Sequence, residues 1–346
     1  MLRKWIYVLM PLLVAGCLVA ASCDKDGGSS AENRQEEPDI PPAPDDPDNP
    51  SPVSNTTLLE LCQRKITQYN YSETSRTNHV FICCHRANTY AGQQAKLPEN
   101  SIPAIQKAIE VGADMIEIDV RQTKDNKLVL MHDASVGTTT DGGSKNVNTL
   151  TLEEVKALKM KKRSTSTYTQ VNGEYIRVPT LEEALTACKG KIYVNLDIKE
   201  VSSPNYVLKV IRETGTADQV MVYGSGEPST YAGNNGYNLK VAVHPFISNP
   251  SEIPGKSYGG QAKLFQYDTD VYYGPSISSF GSKCHAQGAL SYSNSLNYDS
   301  QITTWNSNGR TGTCTVLERF VESGSDFIQT DMCELADAYF KTKGLR

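Results

Sequence analysis

The sequence predicts an α/β fold: a TIM-type (β/α)8 barrel with a short hairpin insertion, preceded by a signal peptide and a disordered stalk. Three observations carry that prediction. From residue 56 to residue 346, short apolar runs alternate with helix-compatible stretches, the pattern of repeated βα units. Those 291 residues suit one barrel domain, a fold of about 250 residues with a wide range. The polar residues able to do chemistry fall just after apolar runs, where the strand-end loops of a barrel converge.

The chain opens as a targeting segment. Arg3 and Lys4 precede the apolar run Trp5–Ala21, which ends in small residues before Cys23. Ala20-Ala21-Ser22-Cys23 followed by Asp24-Lys25-Asp26 resembles a bacterial lipoprotein cleavage site, so residues 1–23 read as a signal peptide with lipid on Cys23. Cys17, after Val14-Ala15-Gly16, is the alternative; cutting there would leave the apolar Leu18–Ala21 at the new terminus. A run of this length is also marginally able to span a bilayer. The expected location is the bacterial cell envelope, anchored by lipid.

Residues 24–55 read as a stalk. Seven prolines lie between Pro38 and Pro52 and no apolar period recurs, so the segment cannot bury enough surface to fold and acts as an extended spacer. Its acids outnumber its bases by seven, and the whole chain carries −5. With the two bases of the signal region counted, residues 56–346 balance near zero. A neutral catalytic portion argues against polyanion partners, nucleic acid included. Of nine cysteines, removing Cys17 and using Cys23 for lipid leaves seven without CxxC spacing, so sulfur ligation of a metal and a disulfide framework are not expected.

Within 56–346, helices are expected at Thr57–Tyr69, Ser101–Val111, Thr151–Lys159 and Leu181–Cys188. Thr151 followed by Glu153 and Glu154 has the composition of a helix start. Strands are expected at Val80–Cys84, Met115–Val120, Leu128–Met131, Lys191–Ile198, Val220–Tyr223, Leu239–Val243, Lys263–Tyr267, Ala289–Tyr292 and Asp326–Gln329. That is more than eight, so at least one lies outside the barrel. Asn172-Gly173 marks a small hairpin in the basic stretch Lys161–Val178.

The stretch Ala113–Asp133 organises the rest. In a strand, alternate side chains share a face. Ile116, Ile118 and Val120 therefore face apolar surroundings, and Glu117 and Asp119 share the other face. Two carboxylates so close repel each other and call for a cation. The connection to Leu128–Met131 is too short for a parallel crossover, so a hairpin turning at Asp125-Asn126 is expected, pairing Asp119 with His132. Asp197, at the end of a later strand, is the natural third carboxylate. Three oxygen donors without Cys suit a hard divalent cation, Mg2+ or Ca2+. Arg86 and Lys199 are then needed beside an anionic substrate, and His85 and His132 complete the set.

The motifs His85-Arg86, Pro98-Glu99-Asn100-Ser101, Gly112–Val120, Thr123-Lys124-Asp125, His132-Asp133, Val178–Glu183 and Thr330-Asp331 together resemble the glycerophosphodiester phosphodiesterases. The resemblance spans residues 85–331. It implies a TIM barrel and metal-dependent hydrolysis of a glycerophosphodiester to glycerol phosphate and an alcohol. It implies His85 and His132 as the acid–base pair, Glu117, Asp119 and Asp197 as metal ligands, and Arg86 on the phosphate. In this family the substrate's own hydroxyl is often the nucleophile.

This chain departs from the family pattern in three places. Ala87 stands where Gly usually follows His-Arg, Asp197 stands where Glu is usual, and Ser291–Leu296 replaces a late Trp-Thr-Val-Asn, which resembles an envelope-associated subgroup. Tyr267, Tyr272, Tyr273, Tyr292 and Trp305 are candidates for the head-group pocket. Two other classes fit parts of the pattern. A barrel glycoside hydrolase would use the paired carboxylates without metal but leaves the histidines unexplained. A binding lipoprotein could keep the barrel without turnover.

Overall fold

Eight parallel strands form the frame of the computed structural model, which describes residues 56–68, 79–224, 231, 239, 241–247, 250–252, 264–267 and 280–346. They are β1 (Phe81–Cys84), β2 (Met115–Gln122), β3 (Tyr193–Ile198), β4 (Val220–Gly224), β5, β6 (Leu264–Tyr267), β7 (Leu290–Asn294) and β8 (Phe327–Thr330). The segment β5 has two pieces, Ala242–Val243 and Phe246–Ile247. Its first piece pairs with β4 and its second with β6. Between them, His244 donates its backbone N–H to Val222 and the Pro245 carbonyl accepts from Gln266. Pro245 has no N–H of its own, so the ladder breaks there, yet the single chain segment bridges both neighbours. With β1 paired to β8, the ring closes as a (β/α)8 barrel.

Side-chain alternation builds the layers. Ile116, Ile118 and Val120 point outward, with Ile82, Cys84, Val194, Leu196 and Ile198, into an apolar shell shared with the helices Ile102–Glu110, Leu181–Cys188, Val316 to Val321 of the helix Thr315–Glu322, and Cys333–Thr342. Phe81, Cys83, Met115, Tyr193, Met221, Leu264, Leu290, Tyr292 and Phe327 fill the barrel's interior. The helix Leu58–Gln68 closes its lower end with Leu58 and Cys62. Side chains thus pack the interior and leave polar chemistry to the strand ends.

The supernumerary strand of the sequence reading is Leu128–Leu130, which pairs antiparallel with β2 outside the ring. The hairpin register differs from expectation by one residue. Val120 faces Leu130, and Met131, not His132, bonds to Asp119. The cause lies in the turn. Thr123 accepts from and donates to its partners across Lys124-Asp125-Asn126, and Asn126 sits at φ 60. That is a three-residue loop ending in a left-handed residue, where a two-residue turn had been expected.

The insertion is also larger than a hairpin. Residues 123–180 carry their own apolar cluster of Val129, Met131, Val136, Val147, Leu150, Val155, Met160, Ile176 and Val178. The helix Leu152–Ala157 is capped by Thr151 and Glu154 reciprocally. Gln170–Val171 pairs with Glu174–Tyr175 across Asn172 and Gly173, both at positive φ. One disulfide, Cys84 to Cys333, joins the end of β1 to the helix after β8, Cα to Cα 5.9 Å. Barrel closure brings together two cysteines 249 residues apart, a proximity that sequence spacing conceals. Among the described residues no helix is long and apolar enough to cross a membrane.

Candidate active site

Parallel pairing of β2 with β3 sets Asp119 directly beside Asp197, with Glu117 one inward position deeper, beside Asn195. Neighbouring strands run roughly 4.8 Å apart. One ligand oxygen from each of Glu117, Asp119 and Asp197 lies within 4.8 Å of the others. Glu117 and Asp119 are buried and Asp197 is half-buried. The cation that this repulsion calls for is Lys199, two residues beyond Asp197. Its Nζ donates to Asp197 Oδ2 at 2.5 Å and ion-pairs with Asp119 Oδ1 at 3.1 Å, without hydrogen-bond geometry to the latter.

The three acids titrate differently because their neighbours differ. Burial, then the charges of Asp119 and Asp197, push the Glu117 carboxyl well above its usual range, against the hydrogen bond from the Arg86 N–H and the charge of Lys199. Burial also works against ionised Asp119, but Lys199, His132, Arg86 and the Asn100 hydrogen bond outweigh it and hold its carboxyl below the usual value. Asp197 is raised by burial, which Lys199 offsets only in part. A cluster in which one acid resists ionisation has spare capacity for positive charge.

Both histidines are braced in the same way. His85 donates from Nδ1 to Asp331 Oδ1 at 2.9 Å, and His132 from Nδ1 to Asp133 Oδ1 at 2.6 Å. A carboxylate accepts, so each ring carries its proton on Nδ1 and presents Nε2 for proton transfer. His132 is held again through its backbone, whose carbonyl accepts from Arg121 Nε and Nη2 at 2.9 and 2.7 Å. Even with the shifted register, His132 remains close enough for its charge to favour the ionised forms of Asp119 and Asp197, although burial keeps the Asp197 pKa raised.

Arg86 turns sharply off β1. It and Ala87 stand at φ 52 and 57, the left-handed region that costs a non-glycine residue about 1–3 kcal/mol. The turn is fixed by the Arg86 N–H donating to Glu117 Oε2 at 2.8 Å and by the Arg86 carbonyl accepting from Asn100. The guanidinium donates from Nη1 to Glu99 at 3.0 Å and places Nε 3.6 Å from Asp119 Oδ2. That buried Nε makes no hydrogen bond.

All seven residues expected at the site therefore sit at the C-terminal ends of β1, β2 and β3 or in the loops that follow. Sequence reading missed their supports. Asn100 grips Asp119 twice, donating from Nδ2 to Oδ2 at 2.7 Å and accepting from the backbone N–H at 3.0 Å. Glu99 holds Arg86, while Asp133 and Asp331 hold the histidines. These four lie inside the motifs quoted above, so only their roles were unread. Arg163 bonds both Glu99 and Asp133, and nothing in the sequence pointed to it.

The aromatic expectation is corrected in part. Tyr292 is buried in the barrel interior, donating to Gln329, and Trp305 packs edge-on against Tyr339 among the helices. Both side chains are buried. Tyr272, Tyr273 and the Tyr267 side chain lie outside the described residues. Among the described residues, Tyr223 is paired in register with Asp197, and Phe246 stands edge-on to the Tyr223 ring at 6.5 Å.

A family model described as the glycerophosphoryl diester phosphodiesterase family matches residues 91–221, a span that holds Glu117, Asp119, His132, Asp197 and Lys199. Across that segment the chain is similar to the glycerophosphodiester phosphodiesterases. A relative named glycerophosphodiester phosphodiesterase from Caldanaerobacter subterraneus is 37% identical over 149 residues, covering 41% of this chain and 57% of the relative. Mouse glycerophosphodiester phosphodiesterase 1 is 34% identical over 116 residues, covering 33% of each chain. The chain thus spans little more than half the length of these curated relatives, or less. Among solved structures, a glycerophosphoryl diester phosphodiesterase from Parabacteroides distasonis superposes at TM-score 0.62 and 20% identity, covering 82% of this chain and 92% of that one. An Oleispira antarctica phosphodiesterase in complex with sn-glycerol-3-phosphate gives 0.58 at 18%, covering 75% and 96%. At these identities the superpositions speak for the barrel alone.

Proposed function

We propose that the chain hydrolyses a glycerophosphodiester to glycerol phosphate and an alcohol, with Mg2+ or Ca2+ held by Glu117, Asp119 and Asp197 and with His85 and His132 as the acid–base pair. The observation that carries this reading is the meeting of three hard oxygen donors within 4.8 Å with two carboxylate-braced imidazoles. The donor set contains no sulfur and fits a hard ion; the raised pKa of Glu117 leaves room for added positive charge. A bound divalent ion would supply Lewis-acid stabilisation of the phosphoryl oxygens.

The chain's own groups do the rest. A phosphodiester carries one negative charge, and attack builds more on its non-bridging oxygens. Arg86, with its unbonded Nε, and Lys199 stabilise that growing charge more than the ground state. One imidazole takes a proton at Nε2 from the nucleophile while the other gives one to the leaving oxygen. The Nδ1 bonds to Asp331 and Asp133 leave Nε2 of each ring for the transfer: it is unprotonated on the base and carries the second proton of an imidazolium on the acid.

Hydrolysis of glycerophosphocholine and glycerophosphoinositol, each with and without EDTA, tests the reading. Turnover that EDTA abolishes and Mg2+ or Ca2+ restores is the expected result. Metal-independent cleavage of a glycoside, or no turnover on either diester, would replace it. Lipid on Cys23, with residues 24–55 as spacer in a bacterial cell envelope, completes the proposal and rests on the N-terminal sequence. Mass spectrometry of the membrane-extracted protein beside Cys23→Ala tests it; lipid on Cys17 would correct the site.

A further inference from the structure

Arg163 stands outside every motif that pointed to the site, yet three of its nitrogens are engaged there. It projects from a tight turn in the insertion, where Thr165 bonds back to Lys162 and Ser164 takes φ 63. The turn is pinned from both sides. Lys162 Nζ donates to the Gln93 carbonyl at 3.1 Å, and Lys161 donates its N–H to Thr139. From this base Arg163 donates Nε to Glu99 Oε2 at 2.9 Å, Nη2 to Glu99 Oε1 at 2.7 Å and Nη1 to Asp133 Oδ2 at 3.0 Å.

Each acceptor uses its other capacity on a residue of the reaction. Glu99 Oε1 also receives Arg86 Nη1, and the Asp133 oxygen not taken by Arg163 receives His132 Nδ1. We propose that Arg163 is a positioning residue that fixes the phosphate-binding guanidinium and one acid–base imidazole at the same time, through Glu99 and Asp133. This deepens the proposed hydrolase reading and rests on it.

The chemistry favours arginine specifically. Glu99 is buried, and Arg86 alone would give it a single bond at Oε1, leaving Oε2 without a donor. A planar guanidinium can give two bonds to one carboxylate and a third, in another direction, to a second. A lysine ammonium offers one point of charge and cannot hold both carboxylates in that geometry. Although partial burial works against the charged form, the bonds from Arg163, Thr138 and His132 keep the Asp133 carboxyl well below its usual range. Asp133 therefore stays an acceptor for His132 at every working pH. The arrangement also couples the insertion to the barrel: Met160, just before the turn, belongs to the apolar cluster of the insertion, while Glu99 and His132 belong to loops of β1 and β2.

The test uses the full-length protein. Arg163→Met should lower kcat for the diester by about 10–100-fold, the usual effect of losing a partner that orients a reacting side chain, measured at a temperature where circular dichroism shows the variant folded, since losing a partner of buried Glu99 also lowers the thermal midpoint. Arg163→Lys should recover only a minor part. In a Glu99→Gln/Asp133→Asn background, Arg163→Met should have almost no further effect, since the groups it acts through no longer carry charge. A merely structural role would instead add its loss undiminished in that background. Imidazole nitrogen-proton NMR gives a readout that needs no turnover. The His132 Nδ1 proton, assigned by its absence in His132→Ala, should be sharp in the wild type and lost or shifted in Arg163→Met. An unchanged signal together with wild-type kcat would overturn the inference. If the wild type cleaves no diester, the hydrolase reading fails, and the NMR comparison still decides whether Arg163 orients His132.

Discussion

Asp197 carries the sharpest question at the scale of single residues. It is one methylene shorter than the glutamate usual in the resembling family, yet its ligand oxygen still reaches within 4.8 Å of those of Glu117 and Asp119. Lys199 holds it at 2.5 Å, so a purely electrostatic role is a real competitor to metal ligation. The two roles part under mutation. As a ligand, Asp197→Ala should abolish metal-dependent activity, and Asp197→Glu should retain it with a changed preference between Mg2+, which demands regular geometry, and Ca2+, which accepts longer bonds. As a mere partner of Lys199, Asp197→Ala should leave the metal midpoint where it was. Titrating activity of the three proteins with each ion decides between them. The metal-free Asp197→Ala protein should be no less stable than the wild type, because burial already disfavours ionised Asp197 and its charge raises the Glu117 pKa. Separately, His85→Ala and His132→Ala should each reduce turnover by about 10²–10⁴-fold with folding intact. Wild-type kcat in either variant would remove that histidine from the chemistry.

At the scale of elements, β2 shows how far a strand can be read from its sequence. The alternation of isoleucines with acids in Met115–Gln122 separated the core face from the site face, because a strand's period of two admits no other assignment once one face is apolar. The two faces should also separate under mutation. Ile118 is fully buried between β2 and the helices. Ile118→Val should cost about 1 kcal/mol and Ile118→Ala about 2–5 kcal/mol by urea unfolding, with kcat close to wild type wherever the protein remains folded. A loss of kcat larger than the loss of folded fraction would show that the apolar face sets the position of Glu117 and Asp119. What stayed illegible was set by neither period nor propensity. The one-residue slip of the hairpin came from Asn126 taking a left-handed conformation, a choice among turns that differ little in energy. The Cys84–Cys333 link and the Arg163 bonds join segments distant in sequence and follow only from ring closure and from the docking of the insertion. Tyr292 and Trp305 read as pocket aromatics because composition cannot tell the inside of a barrel from its mouth.

For the molecule as a whole, closing the barrel leaves two histidines where protonation is unfavourable. His244 sits in the break of β5, fully buried against Tyr223 and Tyr292, with Nε2 unbonded and Nδ1 3.4 Å from Asn195 Oδ1. Burial pushes its pKa down to about 3. His79, stacked edge-on to Phe81 at the lower end, is brought down to about 4, again by burial first. In the unfolded chain both titrate near 6.5. Below that pH the unfolded chain takes up protons that the folded one refuses, so unfolding is favoured as pH falls. Stability from these two groups is therefore full above about pH 6.5 and declines until pH reaches the folded values. By about pH 5 each group should have cost roughly 2 kcal/mol, since every step of one in pH below about 6.5 removes about 1.4 kcal/mol. Buried Glu117 and Asp197, whose pKa values are raised, act in the opposite sense as they protonate, so the wild-type curve alone mixes both signs. A difference between proteins separates them. His244→Phe keeps a ring of similar size but cannot protonate. Urea unfolding at about pH 7 and about pH 5 should show it losing roughly 2 kcal/mol less than the wild type over that interval. Equal losses in the two proteins would mean that His244 accepts its proton in the folded state, and that the break in β5 admits water to the barrel interior.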